Sequence, residues 1–136
     1  MRYILDACAL LALLNEEWGR GLETVSELLN GARKGEADLC MSRINLVEVH
    51  YRYIQLKGPE TADAIMESVK SLPIRFIRDI SDEVYIETAR CKARYSMSLA
   101  DAFLCATAKS LGAVIVTRDK EIKPAEAAEH LSILWI

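Results

Sequence analysis

No two cysteines in this chain stand in a C-x-x-C arrangement. Its two histidines, His50 and His130, lie apart from the four cysteines Cys8, Cys40, Cys91 and Cys105. A zinc site built on the usual spacings is therefore not expected. Each cysteine falls in an apolar segment, which suits reduced thiols packed as small core residues in a cytoplasmic protein. Long hydrophobic runs are missing as well. The longest, 7–14, follows an aspartate and falls far short of the roughly 20 residues that cross a bilayer. Arg2 is the only charge ahead of Asp6, unlike the basic start of a secretory signal, so neither export nor a membrane partner is expected. Excess positive charge is absent: 17 Lys and Arg against 20 Asp and Glu leave a net charge of -3. That excludes a passive coat for nucleic acid, but not an enzyme that meets phosphate through a bound metal. Repeats, low-complexity tracts and linkers rich in Pro, Gly or Ser are lacking too, and 136 residues suit one domain spanning 1–136.

What is present is the composition of a folded protein. Hydrophobic residues make up 51% and charged residues 27%, enough apolar surface for a core and too little charge for disorder. Short apolar, branched runs at 1–5 (MRYIL), 39–41 (LCM), 74–77 (IRFI), 113–117 (AVIVT) and 131–136 (LSILWI) read as strands. Helical patterns occupy 7–14, 21–34, 43–57, 60–71, 82–95 and 99–111. Gly58-Pro59 ends one helix and opens the next, and Gly112 closes the helix ahead of AVIVT. This alternation predicts an α/β fold, a mostly parallel sheet covered by helices on both faces. Ligands of such sheets bind beyond the carboxyl ends of the strands.

Acids at those ends are the candidates for chemistry. Asp6 directly follows MRYIL, and Asp119 follows AVIVT by two residues; either could equally serve as a turn or helix-cap residue. Asp101, in SLADAFLCATAK, sits three residues after Ser98, close to a reciprocal capping box. The apolar residues that follow it place the first turn of that helix against the sheet. Glu48 lies in INLVEVHYRY, at the edge of a stripe formed by Ile44, Val47, Tyr51 and Ile54, a stripe expected to face the core. A carboxylate there needs a proton, a cation or a metal. Arg52, four residues on, offers the simplest partner.

Taken in order, LDACALLALL, INLVEVHYR, SLADAFLCATA and VTRDKEI resemble the PIN-domain family over nearly the whole chain, in particular the small ribonuclease toxins of the VapC type. SLADA with the alanine-rich helix after it is the most specific piece. The resemblance implies a three-layer α/β/α domain with four or five strands. It also implies an acidic pocket that holds Mg²⁺, or Mn²⁺ in its place, for hydrolysis of RNA. The family's acids carry over onto Asp6, Glu48, Asp101 and Asp119. Mg²⁺ takes oxygen ligands and keeps several waters, so a few carboxylates plus substrate phosphate suffice. No Ser, Cys or His nucleophile is required.

The chain departs from the family pattern at Cys8, where a Ser or Thr hydroxyl usually stands two residues after the first Asp; Thr117, two residues before Asp119, matches the pattern. Asn45, one turn before Glu48, is a candidate donor behind the ligands. Arg43, Arg52, Arg75, Arg78, Arg90, Lys92 and Arg94 are spread over several elements, and solvated helix surface explains any one of them. The resemblance further implies an antitoxin protein as partner and a homodimer. The apolar residues of 22–29 and 65–69 point to a dimer as well, since one small sheet has limited room for them. The competing reading is a PIN-like module that binds RNA or protein without cutting, favoured only by Cys8. A phosphoacceptor domain would need an acid beside Asp6, and Ala7 and Cys8 supply none.

Overall fold

The computed structural model describes residues 1–136. Five strands, β1 (Arg2–Leu5), β2 (Asp38–Ser42), β3 (Arg75–Ile77), β4 (Val114–Thr117) and β5 (Ile133–Trp135), form one sheet in the order β3-β2-β1-β4-β5. Every pairing is parallel. Between the strands run α1 (Ala7–Leu14), α2 (Arg20–Arg33), α3 (Arg43–Lys57), α4 (Pro59–Val69), α5 (Asp82–Arg94), α6 (Leu99–Leu111) and the short α7 (Lys123–Ala128).

Alternation along the strands builds the two cores. Leu5, Leu39, Met41 and Val116 point to one face and pack with α1 to α4, while Ile4, Cys40 and Ile115 point to the other and pack with α5, α6 and α7. A strand buried on both faces reads as a near-continuous apolar run, as Val114, Ile115 and Val116 of β4 do. Strand order reverses between β1 and β4, because the chain leaves β1 for β2 on one side and returns to β4 on the other. The carboxyl ends of these two strands therefore flank the crevice where parallel sheets take ligands.

Local chemistry fixes the helix ends at both edges of the sheet. Asp6, Ser42, Ser81 and Ser98 each accept a backbone N–H at the start of α1, α3, α5 and α6, which satisfies donors that a helix start leaves free. Gly112 ends α6 in the left-handed region, φ 60, where a side chain is disfavoured. No helix is long and apolar enough to cross a membrane.

Three features differ from expectation. The 3₁₀ turn Lys120–Ile122 and α7 had no counterpart in the predicted elements, though Pro124 followed by Ala-Glu-Ala-Ala is a helix start. The stripe Val47, Tyr51 and Ile54 faces outward, 62%, 44% and 39% exposed, and α3 buries Asn45, Val49 and Tyr53 instead. That buried face carries two polar side chains, so hydrophobicity alone selects the wrong side. Conversely Val25, Leu29, Met66 and Val69, within the segments counted as surplus, are covered inside the chain.

Candidate active site

Asp6, one residue beyond β1, is 4% exposed. Its Oδ2 accepts a hydrogen bond from Thr117 Oγ1 at 2.7 Å and lies 3.6 Å from the Cys8 thiol. Its Oδ1 accepts from the Ala7 N–H at 2.7 Å and from Asn45 Nδ2 at 3.4 Å. The side chain is thus locked from β4, α1 and α3 at once. Burial raises its pKa despite these donors, and the charge of Asp119 raises it further.

Asp101 reaches the same place from the first turn of α6. Ser98 Oγ accepts the Asp101 N–H at 3.1 Å, which is one half of the anticipated capping box. The other half is not made, since the carboxylate turns away from the Ser98 N–H and toward Asp6 and Asp119. Asp101 is 4% exposed, and its Oδ2 is buried with no hydrogen-bond partner. Burial, then repulsion from Asp6 and Asp119, pushes its pKa up to about 8. Asp119 completes the group from the loop after β4. Its backbone N–H donates to Thr117 Oγ1 at 2.9 Å, and its Oδ1 caps the 3₁₀ turn through the Glu121 N–H at 3.0 Å.

Carboxylate oxygens of Asp6, Asp101 and Asp119 all lie within 4.8 Å of one another. Three acids this close, once all are ionised, leave charge unbalanced, and Asp101 Oδ2 and the neighbouring Asn45 Oδ1 lack any donor. A hard divalent cation resolves both. Glu48 is near but outside the group. Its carboxylate stands 3.5 Å from Arg52 and is 34% exposed. Partial burial raises its pKa, Arg52 opposes the rise, and Asp6 and Asp119 add repulsion. Both partners considered from sequence thus act on Glu48, with Arg52 the one in contact.

Cys8 occupies the position where the family pattern has a hydroxyl, and its sulfur contacts the residues around Asp6. Its sulfur lies 3.5 Å from Thr117 Oγ1 and accepts the Arg118 N–H at 3.4 Å. Burial and the charge of Asp6 push the thiol up to about 11. It therefore stays protonated at neutral pH, a weak donor and no nucleophile. Arg118 was overlooked in the sequence, although it stands between Thr117 and Asp119. Its guanidinium pairs with Glu17, tying the loop after α1 to the loop that carries Asp119.

The other cations distribute unevenly. Arg75 pairs with Asp38, and Arg90 and Arg94 meet Glu129. Glu87, Cys91 and Glu129 form a second group with metal-ligand geometry. Arg90, Arg94 and Lys109 already neutralise its carboxylates, so it acts as an ion-pair network.

Comparison with curated protein sequences finds no match. Solved structures do match the fold. VapBC2 from Rickettsia felis, bound to a DNA fragment from its promoter, aligns with TM-score 0.76 at 17% identity over 98% of both chains. VapBC-1 from nontypeable Haemophilus influenzae gives 0.74 at 19% identity over 99% of this chain and 98% of that one. VapC20 of Mycobacterium tuberculosis, a toxin that cleaves the sarcin-ricin loop, gives 0.67 at 17% identity, covering 90% and 94%. At these identities the likeness establishes the fold. The PIN-domain profile matches residues 3–127, a span that takes in all three clustered aspartates and Glu48, and on that match the chain belongs to the PIN-domain family.

Proposed function

We propose that this protein is a metal-dependent endoribonuclease, the toxin of a toxin-antitoxin pair. Asp6, Asp101 and Asp119 would hold Mg²⁺, for which Mn²⁺ can substitute, and Glu48 would turn from Arg52 to join them. The observation that carries the reading is the three-carboxylate group with Asp101 Oδ2 buried and unsatisfied. When bound, a divalent ion there supplies an activated water and offsets charge on the phosphate.

The chain's own residues do the rest. Thr117 and Asn45 fix the Asp6 carboxylate in one orientation, as groups behind a ligand must. Ser98 holds the start of α6 and with it Asp101. The start of α6 also directs its N–H dipoles toward the site, which favours the charged carboxylate once a cation is present. Cleavage of the sarcin-ricin loop by VapC20, a protein of this fold, supports RNA as substrate. An antitoxin is expected to inhibit by placing a basic side chain among the acids, which relieves their repulsion as metal does. A single domain and a homodimer complete the reading.

The test is cleavage of total RNA by the purified protein with Mg²⁺, with Mn²⁺ and with chelator, beside Asp101→Asn. Metal-dependent cleavage lost in the variant is expected. Equal fragmentation in chelator would refute metal dependence. Cys8 in the hydroxyl position favours a second reading, a module that binds RNA or protein without cutting, and metal-dependent Tm shifts without any cleavage would support it.

A further inference from the structure

A second recess opens at the same edge of the sheet, between α3, α4 and the end of β3, on a different face of α3 from Glu48 and Arg52. Its volume is about 460 Å³, within the range of small-ligand sites, roughly 300–1,000 Å³. Leu46, Met66, Val69 and Phe76 give it an apolar floor, and its walls include Arg43 and Arg78. The acids in its wall already have partners. Asp63 is hydrogen-bonded to His50 at 3.1 Å, and Glu67 pairs with Lys70 at 2.7 Å. Arg43 and Arg78, in contrast with Arg52 and Arg75, enter no salt bridge.

Strand register places these arginines beside the acidic group. Ser42 pairs with Ile77, so Arg43 and Arg78 leave the sheet side by side, each one residue past its strand. Ile4 pairs with Cys40, which puts Asp6 level with Ser42. Strands lie about 5 Å apart, and the two arginines therefore follow Asp6 along the edge at steps of about 5 and 10 Å in backbone position.

We propose that this recess is a nucleotide subsite of the nuclease: an unpaired residue of the RNA next to the scissile phosphate lays its base on the apolar floor and its phosphate between Arg43 and Arg78. The inference rests on the nuclease reading above. A chain of net charge -3 with clustered aspartates offers RNA little attraction beyond what a bound metal would supply, so nearby unpaired cations matter for holding the strand. Guanidinium forks match phosphate oxygens. RNA readers of single strands splay bases onto aromatic and apolar surfaces, and Phe76 with Leu46 and Met66 is such a surface.

The test uses a fluorescein-labelled single-stranded RNA ten nucleotides long, bound in the Asp101→Asn background to prevent cleavage and followed by anisotropy. Arg43→Ala with Arg78→Ala is expected to weaken binding tenfold or more. The salt slope should become shallower by about 0.7, for the loss of one neutralised phosphate on a single strand. Arg43→Lys with Arg78→Lys should recover part of the affinity, and with Asp101 intact the double alanine variant should lose more in KM than in kcat. An abasic nucleotide moved along the RNA should weaken wild-type binding threefold or more at one or two positions. Binding within twofold of wild type, an equal loss from Lys34→Ala at the opposite end of the sheet, or a flat abasic scan would overturn the subsite. So would equal competition by a polyglutamate peptide of matched charge, which would assign the recess to an acidic protein. A protein that cleaves RNA yet gives one of these results removes the subsite alone, whereas one that neither binds nor cleaves RNA removes the nuclease reading with it.

Discussion

At the scale of residues, one carboxyl group controls how the empty and loaded site respond to pH. Asp101, with its pKa pushed up to about 8, holds a proton in the folded protein that an unfolded aspartate releases above about 3.9. The folded state then binds more protons across that window, so the stability this group contributes is fully present below about pH 4 and is lost as pH rises toward 8. In chelator the Tm is expected to fall over this range, and Asp101→Asn should flatten the dependence. Mg²⁺ should reverse the trend, because the proton has to leave before a cation is bound and binding to the folded state alone raises stability. A chelated wild type with Tm rising from pH 5 to 8 would contradict the assignment. Glu48 makes the complementary case. Its contact with Arg52 at 3.5 Å joins two half-exposed groups, a pair worth about 0–1 kcal/mol. Glu48→Gln should leave the metal-free Tm within about 4 °C. If Glu48 turns to the ion, the same change reduces the Mg²⁺ shift in Tm and lowers cleavage on the order of 100-fold. Equal Mg²⁺ shifts with preserved cleavage would leave Glu48 with Arg52 alone. Sequence showed which acids to examine, since Asp6 and Asp119 stand just past strands, Asp101 at a helix start and Glu48 beside an apolar stripe within α3. It could not show which three converge, because register and side-chain direction set that.

At the scale of elements, the strands and the six longer helices were legible because each carries its own punctuation. Helices 7–14, 43–57 and 99–111 coincide with α1, α3 and α6, where Asp6, Ser42 and Ser98 cap one end. The face that α3 buries was not legible, because Asn45 and Tyr53 are polar side chains whose burial depends on partners far away in sequence. Tyr53, for example, hydrogen-bonds Asn15. The segment after Asp119 was missed for a related reason: α7 is short and is held by long-range ion pairs. Just beyond it, buried Glu129 accepts from Tyr95 at 2.6 Å, Arg90 at 2.6 Å and Lys109 at 3.0 Å, joining α7 to α5 and α6. The Tyr95 hydroxyl and the Arg90 guanidinium hold its carboxyl down at about 2. Stability from this depressed pKa is present above the unfolded value of about 4.3 and is lost as pH falls toward 2. Glu129→Gln is expected to cost on the order of 2 kcal/mol at neutral pH. The gap to wild type should narrow as pH falls from about 4 toward 2 in urea titrations. The two carboxyl groups thus act in different pH windows with opposite sign, and Asp101→Asn beside Glu129→Gln separates them.

At the scale of the whole molecule, the outward stripe on α3 has to be explained. Val47, Tyr51 and Ile54 recur at steps of four and three on one helix face, and Leu99 at the start of α6 is also exposed, 57%. Single exposed apolar residues are ordinary, but a helical stripe of them marks a surface that another protein covers. The surplus apolar residues first counted, in α2 and α4, are satisfied within the chain, so the expectation of a homodimer now rests on α3. A two-fold pairing would set each copy of this stripe against the other, as isologous interfaces require. Glu48 lies on the adjoining face of the same helix, which would bring the two acidic groups toward a shared channel and lengthen the surface available to RNA. Light scattering at micromolar concentration is expected to give the mass of a dimer. Val47→Glu with Tyr51→Glu should give a monomer whose Tm in dilute solution lies within about 2 °C of the wild-type monomer, since neither side chain is part of a core. If the stripe were instead covered within a single copy of the chain, the double variant would lose several kcal/mol of stability, as buried polar substitutions do. A wild type that stays monomeric at high micromolar concentration would assign the stripe to a different partner chain.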